Sequence, residues 1–171
     1  MPIAKRHCRG FTLFELIVVI SLVGVLATVA LSRFRGLQEE AEAAAVEANV
    51  AAMRAALLIR STELAAGNRW SEMASLRRQN PFLLLEAPPG NYVGERNESW
   101  APGNWYYVPA EAAILYAVRQ GDGFSSGDGG HVLRFALVGK NALGMPVEGP
   151  GLAYVTLLAT ADYRWNGRRI Q

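Results

Sequence analysis

The sequence is poor in cysteine and histidine, and this scarcity excludes several kinds of site. Cys8 is the only cysteine, so no disulfide forms within the chain and cysteine pairs give no indication of the redox compartment. The two histidines, His7 and His131, are far apart in sequence, and no metal-ligand spacing occurs. We therefore expect neither a disulfide framework nor a cofactor.

An excess of positive charge is also missing from most of the chain. The formal net charge is +2, but three of the 17 basic residues, Lys5, Arg6 and Arg9, lie within the first ten positions. The remaining 14 basic residues are matched by 15 acidic ones. Because no strongly basic surface remains, we expect no nucleic-acid partner.

Apolar residues are concentrated near the start of the chain. The 171 residues allow one compact domain plus an extension, and residues 11–31 form a nearly continuous apolar run. As a helix this run is about 31 Å long, which matches a bilayer core of about 30 Å. Basic residues flank it on both sides, and the more basic N-terminal side is expected in the cytoplasm.

A cleaved secretory signal peptide is the alternative interpretation of this run. Residues 28–30, Thr-Val-Ala, would serve as its small-residue cleavage site and leave a mature chain that begins at Leu31. The run is longer, however, than the usual apolar region of about 7–15 residues.

Glu15 interrupts the apolar run one turn from its start, and a signal peptide does not need it. A carboxylate deep in a bilayer costs about 2.5–3.5 kcal/mol, so it is usually kept with a partner. Alternatively, Glu15 lies only about 6 Å from the start of the helix and reaches the lipid headgroups. Its position alone leaves both interpretations open.

Residues 9–15, Arg-Gly-Phe-Thr-Leu-Phe-Glu, resemble the cleavage and methylation signature of type IV prepilins and type II secretion pseudopilins. The resemblance extends over about residues 5–66. It implies that an inner-membrane prepilin peptidase removes a leader, residues 1–10, by cutting after Gly10 and then methylates the new N-terminal Phe11. Cys8 would leave with the leader.

The same resemblance implies how the mature protein assembles. Glu15 would pair with the α-amino group of a neighbouring subunit, at an assembly site that includes Phe11 and Thr12. The implied partners are other copies and related pilin-like subunits, the prepilin peptidase, an inner-membrane assembly platform and membrane lipid. The expected product is a structural subunit, not an enzyme, which spans the inner membrane once with a periplasmic C-terminal domain and then enters a pilus or pseudopilus.

One position departs from the family pattern. Many pilins have proline at the twenty-second mature residue, where this chain has Ser32, and Gly24 and Gly36 remain as flexible points. The segment that begins at Arg33 is most similar to the mannose-sensitive haemagglutinin branch of pilins.

Residues 37–66 contain neither glycine nor proline and are rich in helix-forming residues. One apolar stripe recurs at three-to-four spacing, with Arg60 in its gap, and consists of Val46, Val50, Met53, Leu57 and Leu64. The acidic residues lie mostly away from the stripe; they are Glu39, Glu40, Glu42, Glu47 and Glu63.

Joined to the apolar run, the helix would extend from Phe11 to Ala66, about 84 Å, and end at Gly67-Asn68. A coiled coil or stalk is the alternative.

The rest of the sequence, residues 67–171, predicts a connector followed by a sheet. Residues 67–103 are rich in proline, glycine and polar residues and read as a variable connector, with a short helix from Ser71, its cap, to Arg78. Strands are predicted at 105–108, 113–118, 131–138 and 153–160, with a short last strand at 163–165. The predicted fold is α+β and pilin-like: a transmembrane part (11–35) and a periplasmic part (36–66) of one helix, packed on three to four antiparallel strands in residues 104–171.

Several patterns in the sheet region point to other chemistry, and each has a simpler explanation. Residues 123–127 match the G-x-S-x-G hydrolase motif near His131, but the strand that follows is not the required helix. Asp122 and Asp128 are weak candidates for a calcium site in a glycine-rich loop. Residues 97–99 match a glycosylation sequon, a triplet that often arises by chance.

The aromatic residues allow a core or an adhesive surface. Core positions are the more frequent use of such residues, and an exposed patch is the alternative; they are Trp100, Trp105, Tyr106, Tyr107 and Trp165. The pair Arg168-Arg169 is expected to be a solvated tail. A different class of function remains open from these data: a periplasmic enzyme or binding module that uses the apolar segment only as an anchor or export signal.

Overall fold

The computed structural model describes residues 11–96, 98–119, 121–127 and 129–170. They belong to two units that divide between Gln38 and Glu39. One helix, α1 (Leu13–Ala66), contributes to both units. The prediction of a single long helix is confirmed, and it continues through Gly24, Ser32 and Gly36 without a break.

In the first unit, α1 is exposed at every position up to Gln38. Its hydroxyl groups are satisfied within the helix: Ser21 Oγ donates to the Ile17 carbonyl at 2.8 Å and Thr28 Oγ1 donates to the Gly24 carbonyl at 2.9 Å. Such internal bonding is what a helix in a hydrocarbon environment requires.

In the second unit, one face of α1 is buried, and the predicted apolar stripe is confirmed. The gap in the stripe is filled by Ser61, whereas Arg60 lies at the surface and pairs with Glu63 at 3.1 Å. The buried positions are Glu39, Val46, Val50, Met53, Leu57, Ser61 and Leu64.

The end of α1 is closed by paired backbone hydrogen bonds. The Arg69 N–H donates to the Leu64 carbonyl at 2.8 Å, and the Asn68 N–H donates to the Ala65 carbonyl at 3.0 Å. This is the Schellman arrangement, in which the residue after the cap adopts a left-handed conformation. Asn68, with φ 54°, takes that conformation, so Gly67-Asn68 ends the helix as predicted.

The segment predicted as a connector contains more regular structure than expected. Helix α2 (Trp70–Leu76), a 3-10 turn (Pro81–Leu84) and strand β1 (Tyr92–Glu95) lie within it. The N-cap of α2 is Arg69, without a capping side-chain bond, so the prediction of Ser71 as the cap is wrong.

The strands form two sheets. Their bounds are β2 (Trp105–Val108), β3 (Ala113–Ala117), β4 (Phe124–Ser126), β5 (Val132–Lys140), β6 (Tyr154–Ala159), β7 (Tyr163–Trp165) and β8 (Arg168–Ile170). One sheet has the order β1-β2-β3-β5-β6, antiparallel except for the parallel β1–β2 pair, and the other is an antiparallel β4-β7-β8 sheet. The α+β, pilin-like fold class is confirmed, with more strands than predicted.

Three strands, β1, β4 and β8, were not predicted. β1 is four residues long and irregular at Gly94, which has φ 118°, while β4 and β8 have three residues each. The expectation that Arg168-Arg169 is a solvated tail is wrong, because both residues pair with β7. Their side chains are exposed, and Ile170 anchors the strand in the core.

Aromatic residues fill the core on both faces of the larger sheet. Trp105 and Tyr107 belong to the main cluster with α1, and Tyr106 belongs to a second cluster on the opposite face, where Trp100 covers it with ring centroids 5.1 Å apart. Trp165 is also buried. The alternative of an exposed aromatic patch is therefore wrong.

Candidate functional site

The start of α1 is defined by a hydrogen bond between two residues of the signature. Thr12 immediately precedes the helix, and its Oγ1 accepts a hydrogen bond from the Glu15 N–H at 3.2 Å. Thr-x-x-Glu is the capping-box pattern, which satisfies an otherwise unpaired donor of the first helical turn. The helix thus begins within two residues of Phe11.

Glu15 is the only charged residue from Phe11 to Ser32. It lies in the first turn of α1, where the helix dipole favours a negative charge. Its neighbours are large and apolar, and Leu13 and Phe14 are 77% and 76% exposed. A carboxylate therefore lies at the head of a long apolar surface that none of residues 11–38 covers.

This part of α1 is long and apolar enough to cross a membrane. Its large exposed side chains include Ile17, Ile20, Leu22 and Leu26, all at least 54% exposed. Because monomeric soluble proteins rarely expose so extended an apolar surface, the segment is suited to lipid or to packing against other helices.

Two further carboxylates attach the second half of α1 to the sheet unit, and neither attachment is predicted from the sequence. Glu39 is only 8% exposed, and its Oε1 accepts hydrogen bonds from the Gly123 N–H at 2.7 Å and from Trp165 Nε1 at 3.1 Å. A Cβ at position 123 would collide with the Asn166 side chain and the Glu39 carboxylate, so a larger residue there would displace one of these side chains.

Glu42 makes the second attachment. Its Oε1 accepts hydrogen bonds from the Tyr116 hydroxyl at 2.8 Å and from the Arg119 N–H at 2.7 Å. Burial, together with the Glu42 hydrogen bond and charge, raises the pKa of Tyr116. The spacing of seven between Glu39 and Val46 was the signal that could have placed Glu39 on the buried stripe.

Among the residues that the structure describes, the other candidates are not placed together as a catalytic or metal site. Ser125 is the middle residue of β4 and pairs with Arg164, which is not the strand-to-helix turn that a nucleophile elbow needs. Asp122 and His131 are exposed. Within the part of the chain that the structure describes, no group of three or more His, Cys, Asp or Glu is placed to hold a metal ion.

Some predicted residues lie outside the described part of the chain. Gly10, the residue before the expected cleavage, and Cys8 belong to the undescribed first ten positions. Asn97 of the sequon and Asp128 of the weak calcium candidate are also outside it.

Comparison with known proteins connects the N-terminal segment to a family. Residues 5–31 match the profile of the prokaryotic N-terminal methylation motif. The chain is also 42% identical over 57 residues to the type IV narrow pilus major component PilA5 of Thermus thermophilus. That match covers 33% of this chain and 49% of the relative, so the chain spans about half the length of that protein. No solved structure matches the chain.

The two matches and the geometry of the N-terminal segment agree. The methylation motif spans the apolar run that the structure forms into the exposed first half of α1. The long helix packed through its second half on a β-sheet is the fold expected of a pilin. The N-terminal segment therefore carries the prokaryotic methylation motif and is similar to that of a type IV pilin.

Proposed function

We propose that the chain is a filament subunit of a type IV pilus or a type II secretion pseudopilus. A prepilin peptidase cuts it between Gly10 and Phe11 and methylates the Phe11 amino group. The mature chain then polymerises with other copies or related pilin-like subunits through the first half of α1. An inner-membrane assembly platform receives it from the bilayer.

The observation that carries this proposal is Glu15, the lone carboxylate in the first turn of an exposed apolar helix. No described residue donates a side-chain hydrogen bond to its carboxylate. In lipid or in a bundle of apolar helices, an unpaired carboxylate is costly, and opposite charges attract strongly at low dielectric. The α-amino group of a neighbouring subunit, freed by cleavage before Phe11, supplies the missing cation.

This pairing also selects the register between subunits. If two helices slide by one turn, about 5.4 Å, the carboxylate loses its cation and the full cost of an unpaired charge returns. Apolar side chains alone do not discriminate between such registers. Glu15 thus specifies the assembly geometry, and the apolar side chains supply the contact area.

Before assembly, the chain crosses the inner membrane once. The first half of α1 is the span, the basic leader remains in the cytoplasm, and the sheet unit lies in the periplasm, in accord with the excess of Lys and Arg before residue 11. The family is a structural one, and we propose a structural role for this chain rather than catalysis.

A local role for Glu15 is the competing explanation, because it occupies the N3 position of the capping box, the third residue of the helix. The two explanations are separated by Glu15→Gln. Glutamine serves the capping box as well as glutamate does, but it carries no charge. If Glu15 only caps the helix, Glu15→Gln forms filaments as well as the wild type does.

We expect instead that Glu15→Gln reduces the yield of sheared filaments at least about tenfold, while the unassembled chain accumulates in the membrane at its normal level. Glu40→Gln removes an exposed carboxylate from the domain half of α1 and serves as the matched control. Wild-type yields of Glu15→Gln filaments would contradict the pairing. A mature chain that begins at Leu31 would support a merely exported module instead.

A further inference from the structure

The outer edge of β6 is closed by side chains of α1. Ser61 Oγ accepts a hydrogen bond from the Val155 N–H at 3.1 Å, and Arg54 Nε donates to the Leu157 carbonyl at 3.0 Å. β6 is the last strand of the five-stranded sheet, and these two backbone groups face away from β5. An edge protected in this way is not available as a template for another strand.

A groove of about 460 Å³ lies beside this closed edge, and its charged lining residues are all basic. Three cations line it: Arg54, Lys140 and Arg169, which we call the basic groove. No acidic residue is among its lining residues. Its apolar surface comes from residues such as Leu158 and Ile170.

The cations of the basic groove have little counter-charge of their own. Arg169 pairs with Asp162 at 2.8 Å. For Arg54 and Lys140, no carboxylate of the described residues lies within 4.0 Å. Burial lowers the pKa of Arg54, which reflects the cost of removing its charge from water. A carboxylate brought into the groove would offset that cost.

The opposite edge of the same sheet is acidic. β1 is the other outer strand, and exposed carboxylates lie on it and on the segments beside it: Glu86, Glu95 and Glu98, which we call the acidic edge. Arg96 is the only basic residue in the sequence between Glu86 and Glu98. Its guanidinium carbon lies over the Tyr106 ring, 6.0 Å from the ring centroid.

We propose that the basic groove of one copy binds the acidic edge of a second copy. The two surfaces lie at opposite ends of one sheet and differ in sequence, so the contact is heterologous and repeats from copy to copy instead of closing into a symmetric dimer. This inference rests on the proposed filament function and adds a contact between the sheet units. It is independent of Glu15.

Charge reversal tests the proposal, because exchanging the two charges restores the attraction that each single substitution removes. Lys140→Glu and Glu95→Lys each place like charges across the contact, which weakens association. We expect each single variant to lower the yield of intact filaments about tenfold at low salt, and the double variant to recover to within about twofold of the wild type. Arg69→Glu, which reverses an exposed charge outside both surfaces, should leave the yield unchanged.

Cysteine cross-linking gives a readout that does not depend on filament yield. Glu95 lies on β1 and Lys140 on β5, three strand spacings or about 14 Å apart, which is too far for a disulfide within one chain. With Cys8→Ser as background, the pair Lys140→Cys and Glu95→Cys should therefore give a ladder of covalent oligomers when filaments are oxidised. Lys140→Cys alone should give no ladder.

The outcomes separate this contact from the function on which it rests. Wild-type filaments combined with an absent ladder, or with a double variant no better than the single ones, would overturn the contact and leave the filament proposal intact. A wild-type chain that forms no filaments and has no methylated Phe11 would overturn both.

Discussion

The two halves of α1 belong to one continuous helix but have opposite surroundings. Up to Gln38 every residue is exposed, whereas seven residues of the second half are buried against the sheets. Leu26 is 61% exposed and Leu57 is 0% exposed, although both are leucines of the same continuous helix. The first half therefore depends for its cover on lipid or another chain, and the second half finds its cover within its own unit.

Two carboxylates, Glu39 and Glu15, show the same difference between the two halves of α1. Glu39 accepts hydrogen bonds from Gly123 and Trp165 and is satisfied by its own chain. The backbone N–H of Glu15 donates to the capping Thr12 Oγ1, and no described side chain donates to the Glu15 carboxylate. A polar group in an apolar setting is kept where it has a partner. For Glu39 that partner lies in the sheet unit, and for Glu15 we place it in another subunit.

A matched pair of leucine substitutions tests the contrast most strongly. Leu57→Ala should lower the free energy of unfolding of the sheet unit by about 2–5 kcal/mol, because it leaves a cavity in a packed core. Leu26→Ala should leave that free energy unchanged. Denaturant unfolding of the full chain in detergent, followed by tryptophan fluorescence, measures both, since all four tryptophans lie beyond Gln38. Equal destabilisation by the two variants would contradict the division of the helix.

Adjacent glutamates provide a smaller and more specific comparison. Glu39→Ala should destabilise the sheet unit by about 1–3 kcal/mol, because the Gly123 N–H and Trp165 Nε1 lose their acceptor. Glu40→Ala changes an exposed residue and should have an effect within about 0.5 kcal/mol. The same unfolding measurement applies. If the two variants were equally stable, the buried Glu39 contact would not hold the helix to the sheet.

The smallest expected effect is a pH dependence of stability. It arises from Tyr116, whose hydroxyl contacts Glu42 in the second half of α1. The ordinary tyrosine pKa is about 10, and burial with the Glu42 contact raises the pKa of Tyr116 in the folded chain. The unfolded chain therefore loses this proton first. The contribution of Tyr116 to stability is complete below about pH 10 and is lost as the pH rises through the folded pKa.

Tyr116→Phe should make the alkaline loss of stability shallower, by at most about 1.4 kcal/mol per pH unit. Burial also raises the pKa of Tyr92 and Tyr107, so part of the slope should remain. Urea unfolding between pH 8 and 12 measures the slope. Identical slopes for Tyr116→Phe and the wild type would contradict the Tyr116–Glu42 contact as the source.

Elements with local sequence signals could be predicted, whereas elements that depend on distant contacts could not. The long helix, its apolar stripe and the strands β2, β3, β5, β6 and β7 follow from periodicity and composition, because these signals are local. β4 and β8 have three residues each, and their existence depends on pairing with β7. Pairing of distant segments leaves no local pattern to detect.

The N-terminal site was predictable for another reason. Its residues lie within one contiguous stretch, 10–15, so the motif contains the whole site. The attachments of Glu39 and Glu42 depend on Gly123, Trp165 and Tyr116, which are far away in sequence. Glu39 is one of the acidic residues predicted to lie mostly away from the apolar stripe, whereas the structure buries it on the same face as Val46. The assignment to the mannose-sensitive haemagglutinin branch stays a prediction, as do the domain boundaries.

In the proposed filament, the exposed half of α1 begins at a freed amino group and is covered by other subunits. Intact-mass and fragment-ion mass spectrometry of the chain isolated from its native membranes and filaments tests it most directly. We expect a mature chain that starts at Phe11 with one methyl group on its amino nitrogen. A chain that starts at Met1 or at Leu31 would contradict it.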